Sequence, residues 1–208
     1  YRDEATFVDD RTAEVGGEEV SAEKVVVAAG SRPIVPPIDG LDEVDYLTSQ
    51  EALYLREQPD SLVVMGGGYI AVELGYFFEA LGTDVTIVEM MDTLVPREDD
   101  DLSEAFTEIA RKRHEVYTGH RATAVESRGG EIAVHAETES GEETVVVGDE
   151  LLVALGRRPN TDTLDVEAAG IETDDNGFVV TNDRLETSAD GVWAQGDIAG
   201  NALFKHSG

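Results

Sequence analysis

"SLVVMGGGYIAVELG", residues 61–75, sets an apolar run before three glycines and an apolar segment after them. "SLVVM" reads as a buried strand. "YIAVELGYFFEAL" reads as a helix with apolar residues on most faces, stopped by Gly82 as a C-terminal cap. Between them, Gly66, Gly68 and Ala71 stand at the spacing G-x-G-x-x-A. A tight turn leaving a strand needs the first glycine. A phosphate pressed against backbone needs the second, where any Cβ would intrude. The small residue at Ala71 lets helix and strand pack closely. The start of the helix then offers N–H groups and partial positive charge to a diphosphate.

Downstream, "DVTIVE" reads as a second buried strand that ends in Glu89, eighteen residues after Ala71. A carboxylate at that place accepts hydrogen bonds from an adenosine ribose 2′-OH and repels a 2′-phosphate. The neighbours Met90 and Met91 offer no guanidinium for such a phosphate. The pattern therefore favours NAD(H) over NADP(H). Plainer readings exist, a structural turn for the glycines and a solvated strand end for Glu89. The order strand, turn, helix, strand, acid favours the coenzyme.

Further out, "LTSQEALYLREQP" reads as a short helix capped by Thr48 or Ser49 and followed by Pro59. "DDDLSEAFTEIARKRH" reads as an amphipathic helix with acids at its start and bases at its end, as the helix dipole prefers. "EVYTG" is a third strand. "RATAVES", "GEIAVHAET" and "ETVVVGD" alternate with period two around "RGG" and "ESG", a three-stranded antiparallel meander. "ELLVALG" returns to a continuous apolar strand. The expected fold is thus α/β: a Rossmann-like doubly wound parallel sheet with that meander, over residues 41–160. The flanks, 1–40 and 161–208, are β-rich. "ATFVD", "TAEVGG" and "EVSAEKVVVAAG" read as small strands, the last one buried. "SRPIVPPIDG" has three prolines in five positions and reads as a linker. "DDNG" marks a hairpin, and "GVWAQGDIAG" a last strand and turn.

Composition excludes several classes. No cysteine is present, so the chain itself performs no thiol, disulfide or thiolate-metal chemistry. His114, His120, His135 and His206 are scattered without ligand spacing, and no metal site is expected. Forty-five acids against fifteen bases give a formal charge of −30. Such a field repels nucleic acid and anionic membrane. Spread along the whole chain, it is similar to that of cytoplasmic proteins of salt-loving microbes, where molar salt shortens the screening length to about 3 Å. The opening "YRDEATFVDD" has neither a basic start nor an apolar run, nor an initiator Met, and is read as the start of a piece of something longer.

Four segments in order resemble the flavoprotein disulfide reductases, which include dihydrolipoamide dehydrogenase and the glutathione, mycothione and mercuric reductases. They are "VVVAAGSRP", "MGGGYIAVELG", "ALGRRPNTDTL" and "TSADGVWAQGDIAG". The resemblance implies roles. Gly66, Gly68, Ile70 and Glu89 match nicotinamide-dinucleotide contacts, and Gly156 matches backbone passing close to that nucleotide. Tyr69 matches a lid ring over the nicotinamide pocket. Glu73 matches an acid that pairs with a lysine near the flavin; that lysine is not in this chain. Asp197, with Gly196, matches the flavin's ribityl or phosphate contact, and Ala29 and Gly30 match backbone near the same FAD. Arg157 is given a positioning role.

The resemblance also implies hydride transfer between NAD(H) and FAD, with Tyr69 swinging aside, and then electron exchange with a small disulfide or dithiol substrate. The family's own FAD-binding G-x-G-x-x-G, its Cys-x4-Cys and its C-terminal dimerisation domain are not in this sequence. The expectation is an NAD-binding domain with two strips of a FAD domain, inactive and monomeric alone, from a homodimeric parent. Dihydrolipoamide dehydrogenase is the first expectation for that parent. The alternatives are another thiol-disulfide or mercuric reductase, a flavin oxidase or ferredoxin reductase without the cysteine pair, and a stand-alone NAD-binding module. "SEAFTEIARKRHEVYTGH" and "LFKHSG" look like the mycothione-reductase branch.

Overall fold

A computed structural model of the chain describes residues 1–200, so "LFKHSG" and His206 lie outside the described residues. There are two compact units. One comprises Tyr1–Arg32 with the described residues from Arg157 on; the other is Pro33–Gly156.

In chain order the strands of the N-terminal segment are β1 (Ala5–Asp9), β2 (Thr12–Val15), β3 (Glu18–Ser21), β4 (Val25–Val27) and β5 (Ser31–Pro33). The next segment holds α1 (Ser49–Ala52), β6 (Ser61–Met65), α2 (Tyr69–Leu81), β7 (Asp84–Val88), α3 (Asp100–Ala110), β8 (Glu115–Tyr117), β9 (Arg121–Arg128), β10 (Glu131–Glu137), β11 (Glu143–Gly148) and β12 (Glu150–Val153). After these come β13 (Arg157–Pro159), α4 (Thr161–Leu164) and β14 (Val192–Ala194).

The second unit is built on a parallel sheet in the order β12-β6-β7-β8, with β9, β10 and β11 as an antiparallel meander. Val63 pairs with Leu151 on one side and Thr86 on the other, so β6 lies inside the sheet. Its side chains alternate between two cores. Val63 and Met65 join Val125, Val134 and Val146 of the meander, whereas Leu62 and Val64 join Ala71 and Phe78 of α2. A strand covered on both faces must be apolar throughout, which is why "SLVVM" reads as a continuous run. The proline-rich stretch goes with this unit: Ile38 packs on the meander core and Val125 N–H donates to Asp39 O at 2.8 Å.

The helix α2 spans the expected residues and is capped by Gly82; of its apolar residues only Ala71, Gly75 and Phe78 are buried, at spacings of four and three, while Tyr76, Phe77 and Leu81 stay exposed. Burying Phe78 contributes about 1.5–3 kcal/mol. Two elements differ from expectation. The helix α1, capped by Thr48, stops after four residues. The helix α3 is inverted: Ser103, Thr107 and Ala110 face inward, and Leu102, Phe106 and Ile109 face out. It ends at Ala110, so the bases Arg111, Lys112 and Arg113 lie beyond it.

In the first unit, β1, β2 and β3 form an antiparallel sheet, β14 pairs with β4, and β13 with β5. "EVSAEKVVVAAG" is two strands, β3 and β4, rather than one. Phe7, Val27, Ile171, Val179, Val192 and Ile198 form the core. Among the described residues no helix is long and apolar enough to cross a membrane.

Candidate dinucleotide site

The three glycines after β6 answer to three different demands. Gly66 N–H donates to Val88 O at 2.8 Å, which carries the sheet one step further. Its φ is 111°, and a Cβ there would sit 2.4 Å from the carbonyl oxygen of Ala154. Only glycine meets both conditions. At Gly67 a Cβ would lie 2.7 Å from Leu94 Cδ2 and 2.8 Å from Glu89 Oε2. At Gly68, the N-cap of α2, φ is −77° and, among the described residues other than its chain neighbours and its own helix, none lies within 4 Å of an added Cβ. The protein's own packing does not require glycine there; a ligand pressed on the backbone would.

No side chain caps α2 at Gly68, and the first helical bond runs from Val72 N–H to Gly68 O at 3.1 Å. N–H groups ahead of Val72 thus have no carbonyl of the helix to bind. With thirteen residues behind it, this helix start carries the partial positive charge that suits a diphosphate.

Glu89 lies directly beside this turn. It is 7% exposed, its Oε1 accepts from Met91 N–H at 2.7 Å, and its Oε2 faces Gly67. Its backbone is clamped, the N–H bound to Tyr117 O and the carbonyl to His120 N–H, both at 2.9 Å. Met90 and Met91 point to solvent.

The loop after Glu89 is fastened to the same turn. Val95 N–H donates to Gly67 O at 2.7 Å, and Leu94 is fully buried against Gly67. Val95 has φ 47°, an outlier for a β-branched residue. Ser103 Oγ donates to Val95 O at 2.9 Å, Leu94 N–H donates to Thr107 Oγ1 at 2.9 Å, and Thr107 Oγ1 donates to Ser103 O at 2.7 Å. These buried hydroxyls explain the inverted helix: α3 turns its Ser and Thr inward to hold the loop. Sequence reasoning missed them, although two hydroxyls four apart in an otherwise apolar pattern were a usable signal.

The other expected residues divide between the units. Tyr69 opens α2, half-buried, and its phenol hydroxyl donates to the Glu98 carboxylate. Ile70 follows it, half-buried, and Glu73 is exposed on the next turn. Gly156, φ 119°, accepts from Ile34 N–H at 2.9 Å, two residues beyond the Ala154 carbonyl that Gly66 packs against.

Ala29, Gly30, Gly196 and Asp197 belong to the first unit. Asn160 joins the first pair: its side-chain amide donates to Ala29 O at 2.8 Å and its backbone N–H to Gly30 O at 3.1 Å. Gly30 and Gly196 have φ of 68° and 76°, and a Cβ on either would meet nothing within 4 Å among the described residues beyond its chain neighbours. Asp197 Oδ2 accepts from Ser31 Oγ at 2.7 Å, and Arg157 Nε lies 3.8 Å from the same oxygen. Arg157 also donates to Ser31, Nε to Oγ at 2.8 Å and Nη2 to the carbonyl at 2.6 Å. Ser31 and Asn160 were not foreseen as site residues. Nearby, Arg32 forks onto Asp162 at 2.8 and 2.5 Å, and this guanidinium, with the Thr163 N–H, holds the Asp162 carboxyl below the usual carboxylate range.

The family model for pyridine nucleotide-disulphide oxidoreductase matches residues 1–207. A mercuric reductase of Staphylococcus aureus is 42% identical over 198 residues, covering 95% of this chain and 36% of its own length. A dihydrolipoyl dehydrogenase of Haloferax volcanii is 41% identical over 189 residues, 88% of this chain and 39% of its own. Other relatives are named mycothione reductase. Among solved structures, the HOCl-induced flavoprotein disulfide reductase RclA of Escherichia coli superposes with a TM-score of 0.87 at 33% identity, over 98% of this chain and 46% of that one. The chain thus spans about 36–46% of the length of these three proteins. It belongs to the pyridine nucleotide-disulphide oxidoreductase family.

Proposed function

We propose that this chain is the NAD(H)-binding portion of a flavin-dependent oxidoreductase, and that the whole protein is a dihydrolipoyl dehydrogenase. The observation that carries the coenzyme reading is Glu89 held beside Gly67, one residue from the unencumbered Gly68. The start of α2 would hold the diphosphate, and Gly68 would let it approach the backbone. Glu89 keeps Oε1 on the Met91 N–H and presents Oε2 to the ribose hydroxyls, where a 2′-phosphate would meet a buried carboxylate.

Bound together, nicotinamide and FAD supply the hydride exchange from which electrons pass to a small disulfide or dithiol. This chain's residues orient the two groups. Tyr69 turns away from the seat as the coenzyme enters. Glu73 pairs with a lysine outside this sequence. Asp197, preset by Ser31 and Arg157, would hold the flavin cofactor, and Gly196, Ala29 and Gly30 would let backbone approach the same group. The working unit is a homodimer of the whole protein.

A second reading is mercuric reductase, favoured by the 42% identity to the staphylococcal enzyme. Assay of the full-length protein in molar salt separates the two. The first reading expects NAD⁺-dependent oxidation of dihydrolipoamide. Turnover only with Hg(II) at the expense of a reduced coenzyme would replace it by the second.

A further inference from the structure

We infer that Thr107 and Ser103 are positioning residues of the coenzyme seat: through Leu94 and Val95 they set the plane of the Gly67–Gly68 peptide, and so aim the Gly68 N–H at the diphosphate. The inference deepens the reading of the glycine turn as that seat and rests on it. The two hydroxyls lie one helical turn apart on the inner face of α3, on residues 2% and 3% exposed.

What they hold is the Leu94–Val95 step. Thr107 Oγ1 accepts from Leu94 N–H at 2.9 Å, and Ser103 Oγ donates to the Val95 carbonyl at 2.9 Å. Thr107 Oγ1 keeps its own proton on the Ser103 carbonyl at 2.7 Å, which fixes the direction from which it accepts. Glu98 N–H gives the Val95 carbonyl a second donor at 3.0 Å. Val95 is thereby kept at φ 47°, a conformation that a β-branched residue holds only where its surroundings over-determine it. In that conformation its N–H reaches Gly67 O at 2.7 Å. The fully buried Leu94 closes on the same glycine.

The consequence falls on the next donor along the chain. The Gly67–Gly68 peptide is trans, so the Gly67 carbonyl and the Gly68 N–H point opposite ways in one plane. Holding the carbonyl on Val95 holds the N–H on the other side. That N–H stands ahead of Val72, where the helix has no carbonyl to offer it. Hydrogen bonds in a chain polarise one another, so an amide whose carbonyl is bonded donates more strongly. From two links away, α3 thus governs one donor at the start of α2. The Glu89 carboxylate is held separately, by Met91 N–H on Oε1 and by Tyr117 and His120 on its backbone. Loss of a hydroxyl should therefore weaken the grip on a diphosphate and spare the grip on a ribose.

The test is equilibrium binding of ADP and of adenosine to the full-length protein in molar salt, with Thr107→Val, Thr107→Ser and Ser103→Ala. ADP carries ribose and diphosphate; adenosine carries the ribose alone. Thr107→Val keeps the shape and removes the hydroxyl. It should raise Kd for ADP by about three- to tenfold, the scale of one hydrogen bond, and leave adenosine within about twofold of wild type. Thr107→Ser should bind ADP as wild type does. Ser103→Ala should weaken ADP binding less than Thr107→Val, because the Val95 carbonyl keeps its bond from Glu98. It also stands in if Thr107→Val does not fold, and an unchanged Kd for ADP then overturns the inference. A folded Thr107→Val that binds ADP as wild type does overturns it directly. So does an equal loss for ADP and adenosine, the mark of a loop merely loosened, and so does a Thr107→Ser no better than Thr107→Val. A wild type that binds neither ADP nor NADH overturns the seat itself, and the positioning with it.

Discussion

The Glu89 carboxylate and Gly67 are in contact: a Cβ on that glycine would lie 2.8 Å from Oε2 and 2.9 Å from Cγ. The end of β7, which Glu89 follows, and the turn after the neighbouring β6 are thereby packed together. Anything that moves one moves the other.

The three adjacent glycines should separate folding from binding. Gly66→Ala drives a Cβ onto the Ala154 carbonyl with φ at 111°, and backbone cannot step aside. Its cost should reach or exceed the ~1–3 kcal/mol of ordinary overpacking. Gly67→Ala should cost about 1–3 kcal/mol by displacing Leu94 and Glu89. Gly68→Ala should cost about 1 kcal/mol or less, the N-cap preference for glycine over alanine, and yet abolish most NADH affinity. Denaturant midpoints and NADH titrations on the same three proteins check the order.

Glu150 should be a standing cost at neutral pH. Burial pushes its carboxyl up, and the neighbouring charges of Asp149 and Asp45 add to the shift. The folded state therefore holds this proton more readily than the unfolded chain. The group favours folding at pH below its ordinary value near 4.5, and that support fades as pH rises through the raised one. Glu150→Gln should be more stable than wild type at pH 7 and lose the advantage below about pH 4.5. Because part of the cost is like-charge repulsion, molar salt should narrow the gap. Thermal melts across pH and salt read both effects.

His114 should give an acid-side weakness. Burial pushes its imidazole down, Arg113 acts the same way, and Glu79 opposes. Its Nδ1 is buried with no partner among the described residues. The unfolded chain takes the proton first, so stability is complete above about pH 6.5 and falls as pH drops towards the lowered value. His114→Gln should flatten the fall of the melting temperature below about pH 6.5 relative to wild type. An unchanged slope would assign the acid sensitivity to other groups.

The parallel sheet and its glycine turn were legible because both rest on local patterns. A continuous apolar run means a strand covered on both faces, and Gly66 and Gly68 keep their spacing whatever surrounds them. What could not be read was whatever depends on a distant partner. Ser31, Arg157 and Asp197 are joined across more than 120 residues of chain, and nothing at Ser31 announces it. The inversion of α3 ran against the apolar pattern because Ser103 and Thr107 serve the loop rather than the core. The exposed Leu102, Phe106 and Ile109 make that helix look inside out to any rule that sends apolar residues inward. Glu98 was invisible for the same reason: an acid in a turn is unremarkable until its tyrosine is known.

The central claim is that the turn and Glu89 together select NAD(H). The direct measurement is the pair of dissociation constants for NADH and NADPH, taken in molar salt on the full-length wild type and on Glu89→Ala. The account predicts tighter NADH binding by wild type, a loss of about 1.5–3 kcal/mol in that binding on removing the carboxylate, and a smaller preference between the coenzymes. Tighter NADPH than NADH binding by wild type, or a preference that Glu89→Ala leaves untouched, would contradict it.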